Sequence, residues 1–141
     1  AYRRAGDVER ARSAYERAVQ LAPRDPEAWS NLGVIQAESG QLDEALKTCL
    51  KAIELDPAYA SAHNNAGLIL QGLGKHPEAI PRFRRAIELS PDLAPPYLNL
   101  AKALLREGDD GEAKKVLKRL LELQPDHAGA SEMLRRIKKR P

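Results

Sequence analysis

Apolar residues recur along this chain at steps of three and four, the spacing that lines one face of an α-helix. Trp29, Leu32, Gly33 and Gln36 share such a face, and beyond Gly40 so do Ala45, Cys49, Ala52 and Ile53. A glycine between two such stretches can take a positive φ and end the first helix. A proline after the second ends it, because proline has no N–H to donate and disfavours helix in the residue before it. Asp25-Pro26-Glu27 marks a helix start, with a capping acceptor ahead of a proline at the first helical position. The pattern predicts two antiparallel helices of about 13 residues on either side of Gly40.

The same punctuation returns along the whole chain. Pro23, Pro57, Pro91 and Pro125 stand at intervals of 34, as do Leu21, Leu55, Leu89 and Leu123. Gly6, Gly40, Gly74 and Gly108 keep the step, and so do Ala11, Ala45, Ala79 and Ala113. A fixed period of this length is the signature of stacked structural repeats. The chain divides into a truncated unit (1–25), three full units (26–59, 60–93, 94–127) and a tail (128–141).

Trp29, Leu32, Gly33, Gly40, Ala45, Ala52 and Pro57 resemble the signature of the tetratricopeptide repeat. Numbering each unit so that Pro57 is position 32, that signature has a small residue at position 8, here Gly33, Gly67 and Ala101. It has a large residue at position 24, here Tyr15, Cys49, Phe83 and Leu117. The resemblance implies an all-α superhelix of 34-residue helix pairs, the small residues allowing close backbone approach and the large ones filling the gap to the neighbouring unit.

Departures from the signature carry their own expectations. Position 11, usually aromatic, is Tyr2, Gln36, Leu70 and Leu104, so Gln36 stands where an apolar side chain is expected. Position 4 is Trp29, His63, Tyr97 and Ser131, and position 27 changes from Ala18, Ala52 and Ala86 to Leu120. Pro81 removes one intrahelical hydrogen bond and bends its helix unless it falls in the first turn. The tail reads as a capping helix with Leu134 and Ile137 on one face and Arg135, Arg136, Lys138, Lys139 and Arg140 as a polar outer side. Ala1 falls at position 10, inside a first helix, which is the expectation for a fragment of a longer array. Weak self-association through that N-terminal end, where Tyr2 and Tyr15 lack a preceding helix, is expected with it.

Composition narrows the classes further. A length of 141 residues is that of one domain, and 43% apolar content suffices for a core. With 4% aromatic and 30% charged residues, and Leu, Ala, Glu, Arg and Lys dominant, the composition favours helices and no sheet is expected. No apolar run approaches the roughly 20 residues of a membrane helix, and no secretory apolar region opens the chain. The single cysteine, Cys49, excludes an internal disulfide framework and a multi-cysteine metal site. Net charge is +3, distributed as +2, −4, +1, 0 and +4 over the five segments.

None of the polar clusters forms a catalytic or metal constellation, so neither an enzyme nor a cofactor is expected. His63, His76 and His127 lack metal-ligand spacing, and His63, at a packing position, reads as a hydrogen-bonded interface histidine. Asp109, Asp110 and Glu112 lack the alternating ligands of a calcium loop and read as a helix start that complements the dipole. Cys49 sits at a core position, and Gly72-Leu73-Gly74 is a helix terminus without the strand a phosphate loop requires.

By resemblance to the family, first helices line a concave face with positions 2, 5, 6, 9, 12 and 13. Position 6 is Asn31, Asn65 and Asn99, an expected ladder of amides that can donate to and accept from the backbone of an extended peptide. This is similar to the asparagine ladder of O-linked N-acetylglucosamine transferase repeat arrays; hydrogen bonding between neighbouring helices is the alternative. Ser30, Val34 and Glu38, then Asn64, Leu68 and Gln71, then Leu98, Lys102, Leu105 and Arg106 complete the expected groove. The family's carboxylate-clamping subclass has Lys and Asn where this chain has Ser30 and Val34, Asn where it has Asn65, and Lys and Arg where it has Pro95 and Asn99. Only Asn65 matches, so that ligand class is not expected. The function expected is a protein-protein interaction module for an extended peptide, the alternative being a spacer or self-association array. Nucleic acid is not the expected partner: pentatricopeptide arrays bind RNA, but their repeat is longer than 34 residues.

Overall fold

The computed structural model describes residues 5–140; Tyr2 and the position-11 role expected of it lie outside them. Eight helices and no strand occur among the described residues. They are α1 (Ala5–Leu21), α2 (Pro26–Glu38), α3 (Leu42–Leu55), α4 (Ala60–Gly72), α5 (His76–Leu89), α6 (Ala94–Arg106), α7 (Asp110–Leu123) and α8 (Ala128–Lys138). Thus α2/α3, α4/α5 and α6/α7 are the three full pairs, with lengths of 13 and 14 residues in each.

Each helix packs on the next in the chain. In addition α2 packs on α4 and α4 on α6, whereas no two of the second helices α3, α5 and α7 pack as closely. The first helices α2, α4 and α6, which pack on one another, form the inner row of the stack, and α8, which shares a pocket with α6, continues it.

The turns follow the residues that punctuate the repeat. Gly40, Gly74 and Gly108 have φ of 84°, 78° and 83°, the left-handed region that side chains disfavour. Each closes its first helix with paired carbonyl contacts; Gly40 N donates to Ala37 O at 3.0 Å and Gln41 N to Gln36 O at 2.9 Å. Gly6 departs from the series: it lies in the first turn of α1, which begins at Ala5. Asp25 caps α2 by accepting from Glu27 N at 3.0 Å, with Pro26 first in the helix.

Position 4 ties each first helix to the turn before it. Trp29 Nε1 donates to Pro23 O at 2.8 Å, His63 Nε2 bonds Pro57 O at 2.9 Å, and Tyr97 OH donates to Pro91 O at 2.5 Å. Three ring chemistries deliver one hydrogen bond six residues back. His63 is therefore the hydrogen-bonded interface histidine expected, with its Nδ1 buried and unpartnered. Ser131 makes no such bond; instead His127 caps α8, its Nδ1 accepting from Ala130 N at 3.1 Å.

In the core, position 8 meets position 24 of the same unit. A Cβ on Gly33 would stand 2.4 Å from Cys49 Sγ, and one on Gly67 would stand 2.5 Å from Phe83 Cε1. In the last full unit Ala101 and Leu117 are both fully buried. The large residue therefore fills space inside its own unit as well as between units, where Cys49 joins Ala66 and Ile69 of α4. Gln36 is buried with its Oε1 unpartnered, so the departure at position 11 leaves a polar atom without compensation. Pro81 lies past the first turn of α5, and the helix continues through it to Leu89. Leu134 and Ile137 of α8 are buried, and Arg135, Arg136 and Lys138 of the helix, with Lys139 and Arg140 just beyond it, are exposed.

Candidate functional site

The inner row brings the expected residues to one side of the stack but in different states. Asn31, Asn65 and Asn99 are half-buried. Asn65 Nδ2 donates to Ser30 Oγ at 2.9 Å, and Asn99 Nδ2 donates to Asn64 Oδ1 at 3.0 Å. Each bond runs from position 6 of one first helix to position 5 of the preceding one. Ser30 and Asn64, expected along the groove, are instead buried between units and accept these bonds. Asn31 makes no side-chain hydrogen bond among the described residues. The next step of the series pairs Leu98 with Met133, two partly buried apolar side chains in one cluster.

Two pockets open along the row. One, of about 280 Å³, lies between α2 and α4 and is lined by Val34, Ala37 and Glu38 with Asn65, Leu68 and Ile69. Leu68 stands 42% exposed in it. The other, of about 320 Å³, lies between α6 and α8 and is lined by Lys102 and Leu105 with Met133, Arg136, Ile137 and Arg140. Arg106 is exposed and its Nη1 donates to His76 Nε2 at 3.1 Å; Gln71 is half-buried.

Arg136 and Arg140, which the sequence pattern puts on the tail's outer side, share the second pocket with Lys102. The signal was present: Lys102 to Arg136 and Arg106 to Arg140 are each one 34-residue step. It is overlooked when the tail is treated as a cap rather than as a further first helix.

The groups with reactive chemistry are held apart. Asp109 caps α7 by accepting from Glu112 N at 3.1 Å, while Asp110 and Glu112 face Arg140 and Arg84 at 3.3 and 3.7 Å. Burial pushes the Cys49 thiol up to about 12, so it stays protonated and poorly nucleophilic. Among the described residues no cluster of His, Cys, Asp or Glu is arranged to hold a metal ion, and no helix is long and apolar enough to cross a membrane.

Three family models described as tetratricopeptide repeat match residues 1–60, 48–80 and 70–137. No curated protein sequence matches closely enough to count as a relative. Among solved structures, MamA is similar with a TM-score of 0.83 at 21% identity, over 99% of this chain and 85% of its own. The first such domain of Spaghetti (RPAP3), bound to an HSP90 peptide, is similar with a TM-score of 0.77 at 25% identity, over 82% of this chain and 94% of its own. YrrB, titled as having an unusual peptide-binding site, gives 0.78 at 23% identity, over 91% of this chain and 66% of its own.

Proposed function

Because the chain belongs to the tetratricopeptide repeat family, we propose that it is a non-catalytic protein-interaction module whose inner row receives an extended segment of a partner protein. The observation that carries this reading is the pair of shallow, apolar-floored pockets at corresponding places along the row, with amide oxygens between them. Grooves of this kind take alternate side chains of an extended peptide while polar groups hold its backbone. Asn65 and Asn99 contribute Oδ1 and the second N–H of Nδ2, since the other N–H of each amide is engaged with the preceding unit. Asn31 offers its whole amide. The RPAP3 domain's HSP90 peptide is not carried over, because Ser30, Val34, Pro95 and Asn99 replace the clamping residues of that subclass.

Selection of binding peptides from a random displayed library, followed by calorimetry, tests the reading. Replacing Asn31, Asn65 and Asn99 together by Ala should weaken a selected peptide about tenfold or more, at about 0.5 to 1.5 kcal/mol per lost contact. Leu68→Glu should abolish binding at the α2–α4 pocket. Unchanged affinity in both variants, with folding intact, removes the groove from the mechanism. A large loss of stability in the triple variant would mean instead that the amides chiefly join the units. The Asn31 amide, without a side-chain partner among the described residues, also favours a second reading, in which the α1–α2 end stacks on another copy; light scattering at millimolar concentration tests it, and a monomer rejects it.

A further inference from the structure

The charge on the inner row is graded. Helix α2 carries Glu27 and Glu38 and no cation, α4 carries no charged residue, and α6 carries Lys102 and Arg106 and no acid. Helix α8 carries Arg135, Arg136 and Lys138 against the single acid Glu132, with Arg140 just beyond it. At positions 9 and 13 the first two full units present Val34 with Glu38 and Leu68 with Gly72; the next unit and the tail present Lys102 with Arg106 and Arg136 with Arg140. The repeat therefore stacks four cations in two rows, and three border one pocket floored by Leu105, Met133 and Ile137.

Resting on the groove reading above, we infer that the α6–α8 end of the groove is the subsite for an acidic stretch of the partner segment, one apolar side chain seated on the floor and carboxylates on the rim. Part of the rim is already engaged. Arg136 Nε meets Glu132 Oε1 at 3.2 Å, Arg140 Nη1 meets the Asp110 carboxylate at 3.3 and 3.4 Å, and Arg106 donates to His76. Lys102 is exposed and has no side-chain partner among the described residues. Exposed ion pairs are weak and exchange readily, so an arriving carboxylate can take over Arg136 or Arg140 and add Lys102. The floor favours a peptide over nucleic acid: single strands are held by stacking bases on aromatic rings, and no aromatic residue lines this pocket.

The probe is a labelled, end-capped peptide with Leu between paired glutamates, compared by anisotropy with its Gln and Lys counterparts and with a short oligouridylate. The acidic peptide should bind at least tenfold more tightly than the Gln counterpart and weaken as salt rises. Arg136→Gln with Arg140→Gln should weaken it about two- to fivefold per cation removed. Since Arg140 also holds Asp110, Lys102→Glu is the second variant; it breaks no side-chain hydrogen bond or ion pair among the described residues and should weaken binding more than Lys102→Gln. Equal binding of the Gln or Lys peptide, indifference to Lys102→Glu, or tighter binding of oligouridylate overturns the inference. Library-selected peptides that fail on Leu68→Glu but ignore Lys102→Glu would leave the groove reading standing and remove this one; indifference to both removes both.

Discussion

Gly67→Ala is the sharpest test of how this stack closes. The added Cβ would lie 2.5, 2.8 and 2.9 Å from Phe83 Cε1, Cδ1 and Cζ, whereas carbon atoms in contact sit at about 3.5–4.0 Å. The ring is fully buried and its surroundings are close-packed, so it must shift by about 1 Å at the expense of its neighbours. Overpacking of this size costs about 1–3 kcal/mol, offset by the gain of up to about 1 kcal/mol from replacing glycine by alanine within a helix. A net loss near 1–2 kcal/mol is expected. The next unit suggests the repair, because there Ala101 faces Leu117. Phe83→Leu alone opens space and should be destabilising, but the double variant G67A/F83L should lose at least 0.5 kcal/mol less than the sum of the single changes, within the usual range of coupling for touching residues. Urea unfolding followed by circular dichroism, with slopes compared to verify a common transition, measures all four corners of the cycle. A Gly67→Ala protein as stable as the parent, or strictly additive effects, would refute the steric account.

Gln36→Leu removes a buried acceptor without a partner and should raise stability by about 1–3 kcal/mol in the same assay. Tyr97→Phe deletes the donor to Pro91 O and should cost about 0.5–1.5 kcal/mol, read as a lower urea midpoint. Cys49 should resist thiol reagents until the protein unfolds. Because burial holds its thiol up to about 12 while the unfolded thiol ionises near 9, the unfolded state releases the proton first as pH rises. Stability should then fall above pH 9 by as much as about 1.4 kcal/mol per pH unit relative to Cys49→Ala, measured by urea titrations at pH 8 to 10.5.

The helix pairs were legible because glycine, proline and capping aspartate act within a few residues of themselves. Gly40 and Asp25 do locally what their chemistry dictates wherever the rest of the chain goes. Position 4 was legible only in part. That His63 would be hydrogen-bonded followed from its place, but the shared carbonyl acceptor did not, since Trp29, His63 and Tyr97 look unrelated until their donor atoms are superposed. The groove residues were hardest. Ser30 and Asn31 are adjacent, yet one is buried between units and the other half-exposed, a distinction set by how closely α2 and α4 approach. Periodicity finds a helix face; the depth at which that face is covered depends on the neighbouring helix and its side chains.

Trp29 is the only tryptophan in the chain, and its indole N–H is fixed to Pro23 O at the start of the first full unit. Its emission therefore reports one end of the stack, while helical ellipticity sums over every helix. In an array whose stability is a chain of nearest-neighbour terms, ends can melt before the middle. The gap between the two optical midpoints becomes a direct gauge of how many units the molecule melts at a time. Coincident curves describe a single cooperative block, and an early change in fluorescence describes a stack that frays from its N-terminal side.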